Sequence, residues 1–438
     1  MRLHLPLLLL PILAVAQDTA RMDEVLRHYV DKRQFMGSVL VARGVDTIFQ
    51  KSYGTANAEW QVPNDAATKF RLGSITKQFT AAAVLLLEEQ GKLSTADPIS
   101  KHLPNTPPAW EKVTVHHLLN HTSGIPSFTA FPAYSRFKRQ RHTIEELVNL
   151  TRDKPLEFEP GSKYAYSNSG YALLGQLLET ISGKPYGILL NEMIFNPLGM
   201  SGSGYDSNTV LIPHRALGYV PTPNSIRNAD FIDMSVPHAA GALYSTTGDL
   251  LKWTQALVNG KLLKPESLRK MLTPGLGDYG YGIVIPPKGR KRYGHGGGID
   301  GFNTAQLYYP ESGITVIAFS NLSTPVADTI ANHLGAIVHN ETVTLSTERK
   351  DVPLTAAQKE RLTGDYAINP NFTIRIFLED GQLLTQVTNQ PKFPLFATDE
   401  NTLFLKVVDA VLAFPTGEAK PDKVTLTQNG QTVTATRK

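Results

Sequence analysis

Apolar runs of strand length occur near both ends of the first 350 residues. Gly37–Arg43 (GSVLVAR) predicts a strand, and Asp46–Gly54 (DTIFQKSYG) follows it closely enough to pair with it as a hairpin. Ala305–Asn321 (AQLYYPESGITVIAFSN) predicts two further strands around a turn at Pro310–Gly313. The pattern therefore predicts β-hairpins at both ends of this region.

Helical periodicity dominates most of the other residues before position 346. In the segment that begins at Gly170 (GYALLGQLLETISGK), apolar residues recur three or four positions apart, which is typical of one buried helix face. Further helices are predicted from Ser74 to a stop at Gly91, in a segment ending near Gly124, at Asp249–Val258 and near Ala327–Val338.

The pattern changes after Thr347–Thr355 (TERKDVPLT), a polar segment with a proline that we interpret as a linker. Beyond it, every second residue from Phe372 to Leu378 is apolar, and Asp380-Gly381 is a strong hairpin turn. The residues around Asn429-Gly430 repeat this arrangement. Residues 356–438 are therefore predicted to form a small antiparallel barrel or sandwich.

The first 16 residues (MRLHLPLLLLPILAVA) have the pattern of a secretory signal peptide. Arg2 precedes a mostly apolar run that ends at Val15 and is too short for a permanent membrane anchor. Small residues at Ala14 and Ala16 form a typical cleavage site, so the mature chain is expected to begin at Gln17. The expected location is periplasmic or secreted, with no stable membrane anchor.

Composition narrows the class of protein. Of 438 residues, 41% are hydrophobic and 19% are charged, which is typical of a folded globular protein. The formal net charge of +4 is small for this length and gives no reason to expect a nucleic-acid partner. The chain has no cysteine, which excludes disulfide bonds and anchoring through a lipidated N-terminal cysteine.

The first candidate motif places Ser74 and Lys77 at the head of a predicted core helix. A serine in the first helical turn lies near unpaired backbone N–H groups that can hold an oxyanion. A lysine at the i+3 position lies on the same face, and burial would lower its pKa enough to make it a base. The alternative is an N-cap serine beside a surface lysine, which is a common arrangement.

Two other motifs are Tyr166-Ser167-Asn168, just before a predicted helix, and His295 followed by three glycines. Tyrosine can transfer a proton to a leaving group, asparagine can bind a substrate amide, and glycine permits close approach to the backbone. Taken singly, a packed tyrosine and a glycine-rich turn also explain these residues. Gly296–Gly301 matches G-x-G-x-x-G, but a strand and not a helix is predicted after it, so no dinucleotide cofactor is expected.

Taken in order, Ser74-x-x-Lys77, Tyr166-x-Asn168 and His295-x-Gly297 resemble the motifs of the serine β-lactamase and penicillin-binding-protein-like family. That family includes class C β-lactamases, D-alanyl-D-alanine carboxypeptidases, D-aminopeptidases and esterases. The resemblance implies an α+β fold for residues 17–346, with an antiparallel sheet flanked by helices and a helical subdomain. Residues 356–438 resemble the lipocalin-like β-barrel domain of some family members.

The resemblance implies roles for the motif residues. Ser74 would form an acyl-enzyme, Lys77 and Tyr166 would share the general-base work, and Tyr166 would then protonate the leaving group. Asn168 would bind the acyl-side amide of the substrate. No metal and no cofactor is implied.

The third motif would complete the site. His295 and Gly297 would line the wall opposite Asn168, and the backbone N–H groups of Ser74 and Gly298 would form the oxyanion hole. His295 would hydrogen-bond with the substrate or with the network around the tyrosine of the second motif.

Two further sequence features have alternative interpretations. His117 and His121 have a spacing that can bind zinc, but the glutamate of the zinc-protease motif is absent, and a structural role is expected. The basic run Ser135–His142 (SRFKRQRH) could contact an anionic wall polymer, although such runs usually form a solvated face.

The third motif departs from many relatives, which have Lys where this chain has His295 and Thr or Ser where it has Gly296. Both changes weaken groups that bind a substrate carboxylate. We therefore expect an exported serine hydrolase acting on small-molecule or peptide amides or esters, chiefly D-amino-acid peptides of cell-wall type. The alternatives are a β-lactamase or carboxylesterase with the same machinery, or a penicillin-binding protein with slow turnover.

N-terminal sequencing of protein recovered outside the cytoplasm tests the signal peptide. We expect the sequence to begin at Gln17, because cleavage follows the small residue Ala16. Ala16→Pro is the matched control and should slow or prevent processing. Recovery of a chain that begins at Met1 from that fraction would contradict the interpretation.

Overall fold

The computed structural model describes residues 10–388, 390–417, 419–428 and 431–438, and the side chains of all of these except residues 10–17 and 431. The side chains of the predicted signal peptide, residues 1–16, therefore lie outside the description. The described residues form two compact units, one ending at Gly335 and the other beginning at Ala336. Each unit has its own hydrophobic core.

The strands of the first unit form a central sheet and several short ladders. They are β1 (Gly37–Arg43), β2 (Asp46–Tyr53), β3 (Thr55–Asn57), β4 (Val62–Pro63), β5 (Phe70–Arg71), β6 (Gly204–Tyr205), β7 (Tyr219–Pro221), β8 (Ile226–Asn228), β9 (Leu243–Ser245), β10 (Tyr293–Ile299), β11 (Phe302–Tyr309) and β12 (Ile314–Ser320). The central sheet is antiparallel, in the order β10-β11-β12-β1-β2. Both predicted hairpins are confirmed, and the pairing of β12 with β1 joins them.

Helices cover the central sheet and form a separate group beside it. They are α1 (Leu10–Asp31), α2 (Thr76–Glu89), α3 (Val115–Leu119), α4 (Tyr134–Phe137), α5 (Ile144–Arg152), α6 (Asn168–Ser182), α7 (Tyr186–Leu190), α8 (His238–Gly241), α9 (Thr247–Val258), α10 (Pro265–Met271) and α11 (Ala327–Val338). Among the described helices, none combines the length and the hydrophobicity that a membrane-spanning segment requires.

The predicted helix ends agree with the structure in one case and differ in another. Gly91 follows the end of α2 with a φ of +71°, as expected for a glycine that terminates a helix. The helix predicted to end near Gly124 instead ends at Leu119. It ends there because Asn120 leaves the helical conformation and His121 has a φ of +61°.

Helix α2 is buried on almost all sides. On one side, Gln78 accepts a hydrogen bond from Trp253 of α9 and donates one to Gln306 of β11, each at 2.9 Å. On the other side, the Thr80 hydroxyl donates to the Ala239 carbonyl of α8 at 2.7 Å. The helix therefore passes between the central sheet and the separate helices, and it is held in place by polar contacts to both.

The second unit begins with the last residues of α11, continues with loop residues and one short helix, and is otherwise β structure. Its elements are α12 (Ala356–Leu362), β13 (Gly364–Asn369), β14 (Phe372–Glu379), β15 (Gln382–Val387), β16 (Lys392–Pro394), β17 (Phe396–Asp399), β18 (Thr402–Leu405), β19 (Ala410–Ala413), β20 (Lys423–Gln428) and β21 (Gln431–Arg437). Among the described residues, nine strands form one antiparallel sheet in the order β16-β15-β14-β13-β21-β20-β19-β18-β17.

The order of these strands produces a nearly closed barrel. The two edge strands, β16 and β17, are separated in sequence by Leu395 alone, so the two ends of the sheet lie side by side. The predicted hairpin at Asp380-Gly381 is confirmed, with the positive φ angles that a tight hairpin turn requires. The predicted turn at Asn429-Gly430 lies outside the described residues, although the strands on either side of it pair.

A buried ion-pair network fixes the strand that leads into the proposed site. The Asp206 carboxylate is fully buried and accepts hydrogen bonds from Arg71 at 2.7 Å and from Arg215 at 2.5 Å. Arg71 ends β5, just before the turn that contains Ser74.

We expect Asp206→Ala to lower the free energy of unfolding by about 3–5 kcal/mol, because it leaves two largely buried guanidinium groups without a counter-charge. Urea denaturation measures the change. Asp46→Ala, at an exposed position of β2, is the control and should change stability by no more than about 0.5 kcal/mol. A loss below about 1 kcal/mol for Asp206→Ala would show that the network is not a major constraint.

Candidate active site

Ser74 lies in a 3-10 turn, Gly73–Ile75, which leads directly into α2. Gly73 has a φ of +54°, and a Cβ atom there would lie 2.9 Å from the backbone nitrogen of Gly298. A Cβ atom on Gly298 itself would meet no atom within 4 Å, so this residue borders open space. The turn and the end of β10 thus approach each other closely, as required if the N–H groups of Ser74 and Gly298 share an oxyanion.

Gly297 faces the protein interior. A Cβ atom at this position would lie 2.0 Å from the Leu72 carbonyl oxygen and 2.4 Å from Oγ1 of Thr304. The structure therefore explains the absence of a side chain at Gly297 by the packing of β10 against the residue before the turn, and the substrate-binding role of Gly297 stays a prediction.

Lys77 is fully buried and touches three oxygen atoms. Its Nζ lies 3.0 Å from Oγ of Ser74, 2.9 Å from Oδ1 of Asn168 and 2.8 Å from the carbonyl oxygen of Ala240. Burial lowers the pKa of Lys77 well below its usual value of 10.5, and none of these three partners is a carboxylate that would offset this effect.

These three contacts can satisfy Lys77 both as an ammonium and as a neutral amine. The amide oxygen of Asn168 and the Ala240 carbonyl can only accept, so they take two N–H groups of Lys77. The ammonium donates its third N–H to Oγ of Ser74, and in the neutral amine the nitrogen lone pair faces the Ser74 hydroxyl, which can donate its proton. Lys77 can therefore act as a base toward Ser74.

Tyr166 lies at the mouth of the site, and 37% of its surface is exposed. Its ring centre is 4.8 Å from Nζ of Lys77, and its hydroxyl interacts with that of Ser74. Burial of this hydroxyl raises the pKa of Tyr166 above its usual value of 10, and the contact with Ser74 acts in the opposite direction. Tyr166 is therefore protonated at neutral pH, which suits a proton donor better than the base expected from the sequence.

The centre of the His295 ring lies 6.2 Å from that of the Tyr166 ring. Its Nδ1 is 2.5 Å from the Gly296 carbonyl and must donate to it, so Nε2 accepts from the Tyr279 hydroxyl at 2.8 Å. Burial and the nearby Lys77 lower the pKa of His295 to about 4, and the ring is neutral. Both ring nitrogens are thus engaged within the protein, and neither is directed to a substrate.

Aromatic residues surround this arrangement. The ring of Tyr279 lies 6.2 Å from that of Tyr166 in an edge-to-face contact, and the His121 ring lies 4.2 Å from that of Tyr166. His121 Nδ1 accepts from the backbone N–H of Ser167 at 3.1 Å. Sequence reasoning considered His121 only as a zinc candidate and missed Tyr279, because neither has a local pattern that connects it with Tyr166.

The two histidines considered as zinc ligands, His117 and His121, have different partners. His117 caps the start of α3 together with Thr114, while His121 contacts Ser167. Within the described part of the chain, no cluster of three or more side chains that could hold a metal ion occurs.

Asn168 is the first residue of α6 and has both ends of its amide engaged. Its Oδ1 accepts from Lys77, and its Nδ2 donates to Oγ1 of Thr129 at 3.1 Å. Ser167 caps the helix by accepting from the N–H of Gly170 at 3.3 Å. A substrate carbonyl can bind Nδ2 of Asn168 by taking the place of Thr129.

A cleft of about 530 Å³ opens beside Ser74, Asn168 and Gly298. Apolar side chains form much of its wall: Phe128, Ile232, Pro237, Ile299 and Phe302. Lys138 and Asp300 also line it and form an ion pair. Its size and its mixture of apolar and polar lining residues suit a small molecule or part of a short peptide.

Comparison with known proteins yields a family match and several relatives. The Beta-lactamase family model matches residues 22–340. Penicillin-binding protein 4* from Bacillus subtilis (strain 168) is 29% identical over 440 residues, which cover 93% of this chain and 96% of the relative.

Two solved structures extend the comparison. The octameric penicillin-binding protein homologue from Pyrococcus abyssi is 25% identical with a TM-score of 0.68, covering 95% of this chain and 100% of the other. The D-amino acid amidase from Ochrobactrum anthropi SV3, solved with L-phenylalanine amide, is 25% identical with a TM-score of 0.64, covering 75% and 98%.

The environment of His295 predicts a pH dependence of stability. Its pKa is about 4 in the folded protein and about 6.5 in the unfolded chain, so the unfolded chain binds more protons between these pH values. The free energy of unfolding should therefore fall as the pH drops from 6.5 to 4, by up to about 3 kcal/mol from this residue.

Urea denaturation at pH 7 and pH 4.5 measures this effect. His295→Gln should lose less stability between these pH values than the unmodified protein, because glutamine keeps a donor and an acceptor and does not titrate. His214→Asn, at an exposed position, is the control. Equal losses in His295→Gln and the unmodified protein would contradict a buried neutral histidine.

Proposed function

The chain belongs to the β-lactamase family and is a serine hydrolase, and from this we propose that Ser74 attacks an amide or ester carbonyl to form an acyl-enzyme. The observation that carries the proposal is the state of Lys77, which is fully buried, has no carboxylate among its hydrogen-bond partners and lies 3.0 Å from the Ser74 hydroxyl. Burial lowers the pKa of Lys77 and thereby favours the neutral amine, which is the form that can take the proton of Ser74.

Acylation begins with transfer of the Ser74 proton to Nζ of Lys77. Oγ of Ser74 then bonds to the substrate carbonyl carbon, and the carbonyl oxygen becomes an oxyanion held by the N–H groups of Ser74 and Gly298. When the intermediate collapses, the bond to the leaving group breaks and the Tyr166 hydroxyl supplies its proton. Lys77, now an ammonium, returns a proton to Tyr166, and water then hydrolyses the acyl-enzyme.

We propose D-amino-acid amides, esters or short peptides of cell-wall type as substrates. The relative named D-amino acid amidase supports amide chemistry, and the cleft has the volume of one residue with an apolar side chain.

The surroundings of Gly296 argue against a substrate with a free carboxylate at that position. A Cβ atom on Gly296 would lie 2.8 Å from the Asp328 carboxylate, so an acidic group lies against this part of β10. Gly296 has no hydroxyl that could bind such a carboxylate, and the ring of His295 is neutral where many relatives have a lysine. A β-lactam carries a carboxylate, so these two residues favour the amide and ester hypothesis over strong β-lactamase activity.

The place of action and the role of the second unit are also proposals. The predicted signal peptide supports action in the periplasm or outside the cell. Among the side chains of α1 that the structure describes, from Asp18 onward, the buried ones begin at Met22, and cleavage before Gln17 retains them. For the second unit, a lipocalin-like ligand-binding or assembly role is consistent with a nearly closed barrel.

Hydrolysis of D-phenylalanine amide, a D-alanyl-D-alanine peptide, p-nitrophenyl butanoate and a cephalosporin tests the proposal. We expect turnover of the amide or the ester, with losses of at least about 10³-fold in Ser74→Ala and in Lys77→Met, because each removes the nucleophile or its base. Lys92→Met, an exposed position just beyond α2, is the matched control and should keep full activity. Turnover that persists in Ser74→Ala would contradict the mechanism.

Measurement of the intact mass after incubation with benzylpenicillin distinguishes the proposed hydrolase from a penicillin-binding protein with slow turnover. We expect no lasting adduct, because Gly296 offers no hydroxyl and His295 no positive charge to the carboxylate of the penicillin. A stable adduct that is absent in Ser74→Ala would instead favour a penicillin-binding protein with slow turnover.

A further inference from the structure

We propose that the ion pair between Lys138 and Asp300 closes the acyl end of the cleft and restricts the enzyme to substrates with short acyl groups. The proposal rests on the proposed function, since it assigns the acyl group of the substrate to the 530 Å³ cleft beside Ser74. It makes Lys138 and Asp300 residues that determine specificity.

The pair connects two opposite walls of the cleft. Lys138 immediately follows α4, on the side of the separate helices, and Asp300 lies in the turn between β10 and β11 of the central sheet. Their side chains are 12% and 21% exposed, so the pair is largely screened from water. Both residues line the cleft, and their contact bridges it.

A third segment strengthens this end of the cleft. The backbone N–H of Asp233 donates to the Lys138 carbonyl at 2.9 Å, and the adjacent Ile232 lines the cleft. Ser235 accepts a hydrogen bond from the backbone N–H of His142 at 2.9 Å. The segment around residues 232–235 is thus fastened to the residues that follow α4, and the Lys138–Asp300 ion pair joins both to the sheet.

The pair lies close to the position of the reaction. Asp300 is two residues beyond Gly298, and two residues of extended chain span at most about 7 Å. An acyl group that extends from Ser74 along this end of β10 therefore meets the ion pair after roughly one residue. The cleft follows β10 in this direction, since Gly298, Ile299 and Asp300 line it together with Ser74.

The ion pair also accounts for a sequence feature that the proposed mechanism does not use. Within the basic run Ser135–His142, the arginines at positions 136, 139 and 141 are exposed, whereas Lys138 is turned into the cleft. One member of the run therefore has a role at the site that the pattern of the run does not indicate.

A series of p-nitrophenyl esters from acetate to dodecanoate tests the proposal, because only the acyl group varies. We expect kcat/KM of the unmodified protein to fall at least tenfold from butanoate to octanoate. In Lys138→Ala and in Asp300→Ala, the ratio of octanoate to butanoate hydrolysis should rise at least tenfold, because the end of the cleft is open. Arg139→Ala, the exposed neighbour, is the control and should keep the ratio of the unmodified protein.

The charge-reversed double variant, Lys138→Asp with Asp300→Lys, separates closure by an ion pair from general loosening of the cleft. It should restore the preference for short chains. An unchanged ratio in the single variants would overturn the proposal, and so would a raised ratio that the double variant fails to lower.

Failure of the acyl-serine mechanism can be distinguished from failure of the proposed closure of the cleft. If the unmodified protein hydrolyses neither these esters nor the amide, peptide and cephalosporin substrates named above, the acyl-serine mechanism is wrong, and calorimetric binding of butanamide and octanamide then tests the closure without turnover. A preference for butanamide that disappears in Lys138→Ala would support the closed end. Equal binding of the two amides, or binding of neither, would overturn it.

Discussion

The proposed chemistry depends on the burial of one amine. A charged lysine is expensive to bury without a counter-charge, and the positive end of α2 increases this cost for Lys77. The neutral amine avoids the penalty, and its hydrogen bonds are satisfied by Ser74, Asn168 and Ala240. The protein therefore lowers the pKa of Lys77 chiefly by excluding water and carboxylates from its surroundings, and the helices around it serve to maintain that exclusion.

The second constraint is the close approach of β10 to the turn that contains Ser74. Two glycines permit it: Gly73 on the turn and Gly297 on the strand, whose added Cβ atoms would lie 2.9 Å and 2.0 Å from the facing backbone. The glycine-rich sequence after His295 is thus explained in part by backbone packing. At Gly298, in contrast, the missing side chain leaves open space beside the reacting group.

Much of the fold could be predicted from local patterns. β1, β12 and α11 occur where the apolar periodicity placed them, since each is a continuous element with a buried face. The α+β, β-lactamase/DD-peptidase-like fold implied by the motifs is confirmed for the chain. The bounds predicted for the linker and the lipocalin-like character of the second unit remain predictions.

The missed parts of the site are contacts between residues far apart in sequence. Tyr279 orients His295, the Ala240 carbonyl binds Lys77, and Lys138 reaches Asp300 across the cleft. No periodicity or motif marks such pairs, because each depends on how the helices and the sheet come together. The early end of α3 was missed because the positive φ of His121 has no clear sequence signal.

The contacts of Lys77 also determine when the chain becomes reactive. They come from the turn before its helix, from α6 and from α8, three segments spread over more than 160 positions of the sequence. In an unfolded chain this lysine is hydrated and protonated, and Ser74 has only the low nucleophilicity of an ordinary alcohol. Hydrolytic competence is consequently a product of tertiary folding, and a nascent or translocating polypeptide carries the residues of the site without their activity.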